Sequence, residues 1–170
     1  MKTIPVVNCG DFDCVREKCD FIRKQLKADW IHFDAAEKPA ASINSWNDPA
    51  ALAAFWGKQK GKKPKIEVHL MVKDPEKAAA ACIAAGAARI IVSAADFSDS
   101  RWAKFCEKFA GRAEIGFSLG LKNNLKEIFP WLEKKQIEFL HILAVPTGPA
   151  GQEFRKAVIP KIAILKRRFP

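Results

Sequence analysis

Two short stretches carry residue types that could do chemistry. In Trp30-Ile31-His32-Phe33-Asp34, Ile31 and Phe33 alternate with Trp30, His32 and Asp34. Alternation of period two marks a strand, so His32 and Asp34 fall on one face, two residues apart. In Glu67-Val68-His69-Leu70-Met71-Val72, His69 sits inside an apolar run of the kind buried in a parallel sheet. Two imidazoles and a carboxylate near the C-terminal ends of neighbouring strands suit a divalent transition metal. An aspartate beside such an ion can also move a proton. Lone strand histidines more often serve packing, and spacing alone leaves both readings open.

The elements that would position these residues follow in a regular order. Strands are expected at Ile4–Asn8, Trp30–Asp34, Ile66–Val72, Arg89–Ala94, Glu114–Leu119 and Glu138–Val145. Helices are expected between and after them. Asp13 is the expected cap of the first, while Asp48-Pro49 and Asp74-Pro75 each place a cap and a first-turn proline. Glu76–Ala85 is alanine-rich and stops at Gly86. Trp102, Phe105, Cys106 and Phe109 form a core stripe on the next helix, followed by helices over Asn124–Lys134 and Glu153–Arg168. His141, between Leu140 and Ile142, reads as a structural or surface histidine. Sustained strand-then-helix alternation means a parallel sheet with covering helices, an α/β fold.

Bulk properties agree with one soluble domain over residues 1–170, at 49% hydrophobic and 28% charged residues. The N-terminus lacks an apolar signal core and no run spans a bilayer, so no membrane role is expected and the cytoplasm is the expected compartment. The five cysteines (Cys9, Cys14, Cys19, Cys82 and Cys106) have no zinc-knuckle spacing and read as reduced packing thiols. The net charge of +10 concentrates in Lys58–Lys65 and in residues 153–170. No aromatic or nucleic-acid motif is interleaved there, which argues against a nucleic-acid partner and leaves a field suited to phosphorylated small molecules.

The local sequences resemble the ribulose-phosphate 3-epimerase family. The matching segments are Trp30–Asp34, Glu67–Val72 followed by Asp74-Pro75-Glu76, Pro5 with Asp11-Phe12, and Gly151-Gln152-x-Phe154 followed by Pro160-Lys161-Ile162. The resemblance runs from about Ile4 to the last residue. It implies a TIM-type (β/α) barrel and metal-dependent interconversion of D-ribulose 5-phosphate and D-xylulose 5-phosphate by proton transfer at C3. It implies Asp34 as a catalytic acid/base, and His32, Asp34 and His69 as ligands of one divalent ion, which Zn, Fe, Mn or Co could fill. Met71, Gly148, Gly151 and Gln152 fall at its substrate-contacting positions, and the substrate would be a small sugar phosphate. The loop Pro146–Gln152, small-residued and ahead of a helix, could let backbone N–H groups approach the phosphate.

The sequence also departs from that family. Val6 replaces a serine, Ala36 a methionine, Ser93 and Ala95 a His-x-Glu pair, and Leu119-Gly120-Leu121-Lys122-Asn123 a Leu-Asn-Pro-x-Thr segment. Six of the usual eight β/α units are present, so the barrel is expected to be incomplete, truncated before the strand that supplies the family's second catalytic aspartate. Its open edges would need covering, by a homo-oligomer or by a separately encoded C-terminal partner completing the barrel. Two readings stay open: an epimerase that is impaired or partner-dependent, or a non-catalytic barrel remnant binding a metal, a phosphorylated sugar or a protein partner.

Overall fold

The computed structural model describes residues 3–169 except 39, 43, 135 and 150. Six parallel strands lie side by side in chain order. They are β1 (Val6–Val7), β2 (Trp30–Ala36), β3 (Lys65–Met71), β4 (Ala87–Ser93), β5 (Glu114–Leu119) and β6 (Phe139–Ile142). The helices are α1 (Phe12–Phe21), α2 (Pro49–Lys58), α3 (Pro75–Ala84), α4 (Asp99–Phe109), α5 (Phe129–Glu133) and α6 (Val158–Arg168). The six β/α units thus form as the alternation predicts, and among the described residues no pairing joins β1 to β6.

The two sheet faces differ because each strand alternates. One face carries Ile31, Phe33, Val68, Leu70, Ile90, Val92, Ile115 and Phe117, all buried. The α4 stripe and α5 pack on it, with the Trp102 ring 4.0 Å and the Trp131 ring 4.9 Å from that of Phe117. The other face is polar. In register across the strands it carries His32, Glu67, Arg89 and Glu114 in one row, and Asp34, His69, Ile91, Gly116 and Phe139 in the next. A third row runs Ser93, Ser118, His141. The His32 and His141 rings, on the second and sixth strands, lie 5.3 Å apart, so the sheet curls until its polar face closes on itself.

Local chemistry sets the boundaries. Asp48 and Asp74 cap α2 and α3 as expected, accepting from the backbone N–H groups of Ala51 at 2.9 Å and Lys77 at 3.0 Å. The cap of α1 is Asp11, accepting from the Cys14 N–H at 2.8 Å, and not Asp13. Asp13 lies inside the first turn and pairs with Arg16 at 2.9 Å. The expected helix over Asn124–Lys134 splits into a 3-10 turn, Leu125–Glu127, and α5, because Pro130 has no N–H to continue a helix and suits a first turn. Strand β6 is shorter than Glu138–Val145 because β5 ends at Leu119, whose carbonyl takes the last cross-strand bond from Leu143 at 2.9 Å. Helix α6 starts at Val158, not Glu153, since the Arg155 N–H is spent on the Ala144 carbonyl at 2.8 Å.

The cysteine expectation is also corrected. Cys9 and Cys14 are joined in a disulfide, while Cys19, Cys82 and Cys106 are free thiols. Capping by Asp11 folds the first turn of α1 back over the end of β1 and brings the two Cα atoms to 5.9 Å, within disulfide reach.

Candidate functional site

Asp34 sits at the centre of a polar cluster on the concave face. Its Oδ1 accepts from His32 Nε2 at 3.1 Å and contacts His69 Nδ1 at 3.4 Å, and its Oδ2 accepts from Asn8 Nδ2 at 3.4 Å. His32 also donates through Nδ1 to Glu67 Oε1 at 2.6 Å. Glu67 in turn takes a 2.8 Å bond from Arg89, and Arg89 is fixed by Glu114 at 2.6 Å and by the Trp30 and Phe139 rings on which it stacks. The strands dictate this chain of contacts. Asp34 and His69 are register partners, as are His32 and Glu67, and Glu67 and Arg89.

The cluster is deeply placed: His32, His69 and Glu67 are 5%, 1% and 6% exposed. Burial disfavours a charged His32, but hydrogen bonds to Asp34 and Glu67 outweigh it and push its pKa up to about 9. Burial likewise opposes ionisation of Asp34, and the bonds from His32 and His69 outweigh it, holding the carboxyl well below the usual carboxylate range. Glu67 is lowered by His32 and Arg89 against the same burial cost.

His141 joins this cluster. The chain has three histidines, and all three converge here. A ring nitrogen of each lies within 4.8 Å of one on both others. Burial, then the neighbouring His69 and His32, push the His141 pKa down to about 4, so its imidazole is neutral. His141 shares the inward parity of Phe139, and that parity was the available signal. Glu67 was equally readable, two residues before His69 on the same face.

The donor set fits a divalent metal ion. Imidazole and carboxylate are the ligands such ions take. His69 Nε2 and His141 Nδ1 are buried without a hydrogen-bond partner among the described residues, which is costly for a nitrogen with nothing to bind. Two nitrogens on one tetrahedral zinc lie about 3.3 Å apart, so the cluster closes on an ion with side-chain shifts on the order of 1 Å.

A cavity of about 200 Å³ opens beside His69, lined also by Met71, Ser93, Asp96, Ser118 and Thr147. Met71, a position that the family resemblance marks as substrate-contacting, is thus one of the lining residues. Thr147 brings the loop after β6 to the same cavity, tied to the loop after β2 by Ser42 Oγ, which donates to the Thr147 carbonyl at 3.2 Å. Gly148 is required there, with φ of 152° and with a Cβ that would collide with Ser42 Oγ. Gln152 braces the loop, its Nε2 donating to the Pro146 and Pro149 carbonyls at 2.9 Å each. None of Gly148, Gly151 and Gln152 is among the described lining residues of the cavity.

A curled parallel sheet, helices outside and a polar cluster on its inner face define an α/β protein of the (β/α)-barrel class. Solved structures of that class align with it at fold level. They include phospho-2-dehydro-3-deoxyheptonate aldolase from Thermotoga maritima (TM-score 0.63, 11% identity, 98% of this chain and 48% of that one). They also include 7,8-dihydropteroate synthase from Vibrio fischeri (TM-score 0.55, 10% identity, 99% of this chain and 72% of that one). This chain thus spans about half the length of the aldolase. The chain itself belongs to the Ribulose-phosphate 3 epimerase family, whose model matches residues 4–170. It is similar to the cytoplasmic isoform of ribulose-phosphate 3-epimerase from Oryza sativa subsp. japonica, at 23% identity, and to ribulose-phosphate 3-epimerase from Schizosaccharomyces pombe, at 25%. Each alignment covers 99% of this chain and 72% of the relative.

Proposed function

We propose that this chain interconverts D-ribulose 5-phosphate and D-xylulose 5-phosphate by proton transfer at C3, with His32, Asp34 and His69 holding one divalent ion. The observation that carries this reading is Asp34 itself: an ionised carboxylate aimed by two imidazoles, one of which, His69, lines a cavity. A carboxylate held ionised at neutral pH can accept a proton from the carbon beside a carbonyl. A divalent ion bound there supplies stabilisation for the negative charge that forms on the substrate oxygens. His32 and His69 orient the carboxylate, and Glu67 fixes the ring of His32.

Epimerisation also needs a group that returns a proton from the other side of the carbon. Asp96 is the carboxyl group among the described lining residues of the cavity. Burial raises its pKa against the pull of Arg101. We assign the return step to it. Gly148, Gly151 and Gln152 shape the loop that would meet the phosphate, and Met71 the wall along the sugar.

The reading extends to place and partners. No helix among the described residues is long and apolar enough to cross a membrane, and one relative is named as a cytoplasmic isoform; we place the chain in the cytoplasm. The four residues of β6 are all partly exposed, and a strand from a second copy or a separate chain could pair along that edge.

The test is a coupled assay of ribulose 5-phosphate epimerisation with Zn²⁺, Mn²⁺ or Fe²⁺ supplied. Turnover that disappears in Asp34→Asn while the fold persists is expected. Wild-type turnover in Asp34→Asn would remove the proton-transfer role. No turnover with any ion would favour a binding remnant instead.

A further inference from the structure

We propose that His141 is a third imidazole ligand of this metal centre, so that the chain holds its ion with three imidazoles and one carboxylate. The inference rests on the metal reading above and extends it to a residue on a separate strand. Three observations converge. All the histidines of the chain meet at one point, from β2, β3 and β6, although no sequence proximity brings β6 to the others. The His141 ring lies 5.3 Å from that of His32 and 5.2 Å from that of His69. His141 Nδ1 and His69 Nε2 are both buried and lack any hydrogen-bond partner among the described residues, whereas the other nitrogens of the His32–His69 pair are committed to carboxylates. Those two nitrogens are the ring positions left for an ion to take.

The arrangement also has the outer contacts a ligand set needs. His32 is oriented by Glu67 through the nitrogen that faces away from Asp34, and Glu67 is itself fixed by Arg89. A carboxylate behind a ligating imidazole fixes its tautomer and ring plane. Register neighbours of His141 on the sheet are Ser118 and then Ser93, and the Ser118 hydroxyl donates instead to the Val92 carbonyl at 3.4 Å. His141 is therefore not held by its own row. The chemical consequence concerns ion choice. Imidazole suits zinc, copper, iron and nickel, whereas oxygen ligands suit manganese and magnesium. A third imidazole tilts the site toward Zn²⁺ and Fe²⁺ and away from Mn²⁺.

Cobalt(II) is the probe, because it reports its ligands without any assay of turnover. In the Co²⁺-loaded wild-type protein in water, each bound imidazole carrying an N–H gives one strongly shifted, exchangeable proton resonance. Three such resonances are expected, and two would overturn the role of His141. The His141→Leu variant is expected to bind Co²⁺ at least 100-fold more weakly, with a changed visible absorption band. Unaltered affinity and band would likewise overturn it, while leaving the ion on His32, Asp34 and His69. If the wild type binds no Co²⁺, or His69→Ala binds it as tightly as the wild type, the metal reading fails and the His141 assignment with it. Should His141→Leu not fold, the count of resonances in the wild type still decides.

Discussion

Glu67 accepts a 2.6 Å hydrogen bond from His32 Nδ1 and a 2.8 Å bond from Arg89 through its two carboxylate oxygens. One buried side chain thus joins the histidine that faces Asp34 to the charge network on the inner face of the sheet. Its side chain is 8% exposed and that of Arg89 21%, so removing the negative charge leaves Arg89 with Glu114 alone and the His32 ring with Asp34 alone. Leaving a buried charge wholly unpaired costs roughly 3–5 kcal/mol, and the partners that remain here put this change at the low end. Glu67→Gln is expected to lose about 3 kcal/mol in urea denaturation. It is also expected to weaken metal affinity about 10- to 100-fold, the usual effect of losing a carboxylate behind a ligating imidazole. Metal titration of the variant checks the second effect separately from the first.

The same contacts set the pH dependence of the metal-free protein. The pKa of His32 rises from 6.5 to about 9 on folding. Its stabilisation is fully present below pH 6.5 and is lost as pH rises through 9. At about 1.4 kcal/mol for each tenfold gain in proton affinity, the loss is roughly 3 kcal/mol. His141 acts in the opposite direction. Its pKa falls from 6.5 to about 4, so the unfolded chain takes up the proton first and stability drops as pH falls from 6.5 towards 4. The lowered carboxyls of Asp34 and Glu67 add to the acid-side loss. Melting temperature measured with a chelator present is expected to peak near pH 6.5 and to fall on both sides. A melting temperature that keeps rising from pH 7 to pH 9 would contradict the charged state of His32. In Glu67→Gln the alkaline fall should shrink.

Much of this was legible in the chain. The period-two alternation at Trp30–Asp34 and the apolar run around His69 placed Asp34 and both histidines correctly, because strand parity is a local property. The Asp-Pro pairs at residues 48 and 74 marked two helix starts for the same reason. Most of what escaped depends on distant segments. His141 has ordinary neighbours, and its importance comes only from the curl that carries β6 towards β2. The Cys9–Cys14 pair depends on which aspartate caps α1, a choice of two residues' spacing. The end of β6 depends on where β5 stops, which the β6 sequence does not contain.

The disulfide gives a direct chemical count. Cys9 and Cys14 are joined, leaving Cys19, Cys82 and Cys106. Burial pushes the Cys19 thiol up to about 12 and the other two to about 11. A thiol reagent at pH 8 is therefore expected to react slowly with the folded protein, since the thiolate is the reactive form. In urea without reductant it should titrate three thiols, and after reduction five. Five thiols without reductant would mean that the pair is open, as a reducing compartment would keep it.

Gly116 links packing to the site. A Cβ there would lie 2.6 Å from the Phe139 carbonyl and from its ring. A flexible side chain could move aside, but a backbone carbonyl cannot without shifting the strand. Phe139 opens β6, two residues before His141, and its ring supports the Arg89 guanidinium at 4.4 Å. Gly116→Ala should thus push β6 away from β5, at a cost of about 1–3 kcal/mol typical of forced overpacking. The displacement would move His141 away from His32 and His69, although the atoms nearest the new Cβ are all of Phe139. The expected result is a lower melting temperature together with a loss of Co²⁺ affinity larger than that of a control of equal stability loss, such as Ile115→Val in the core. Equal affinities in the two variants would mean that the position of β6 does not govern the metal centre.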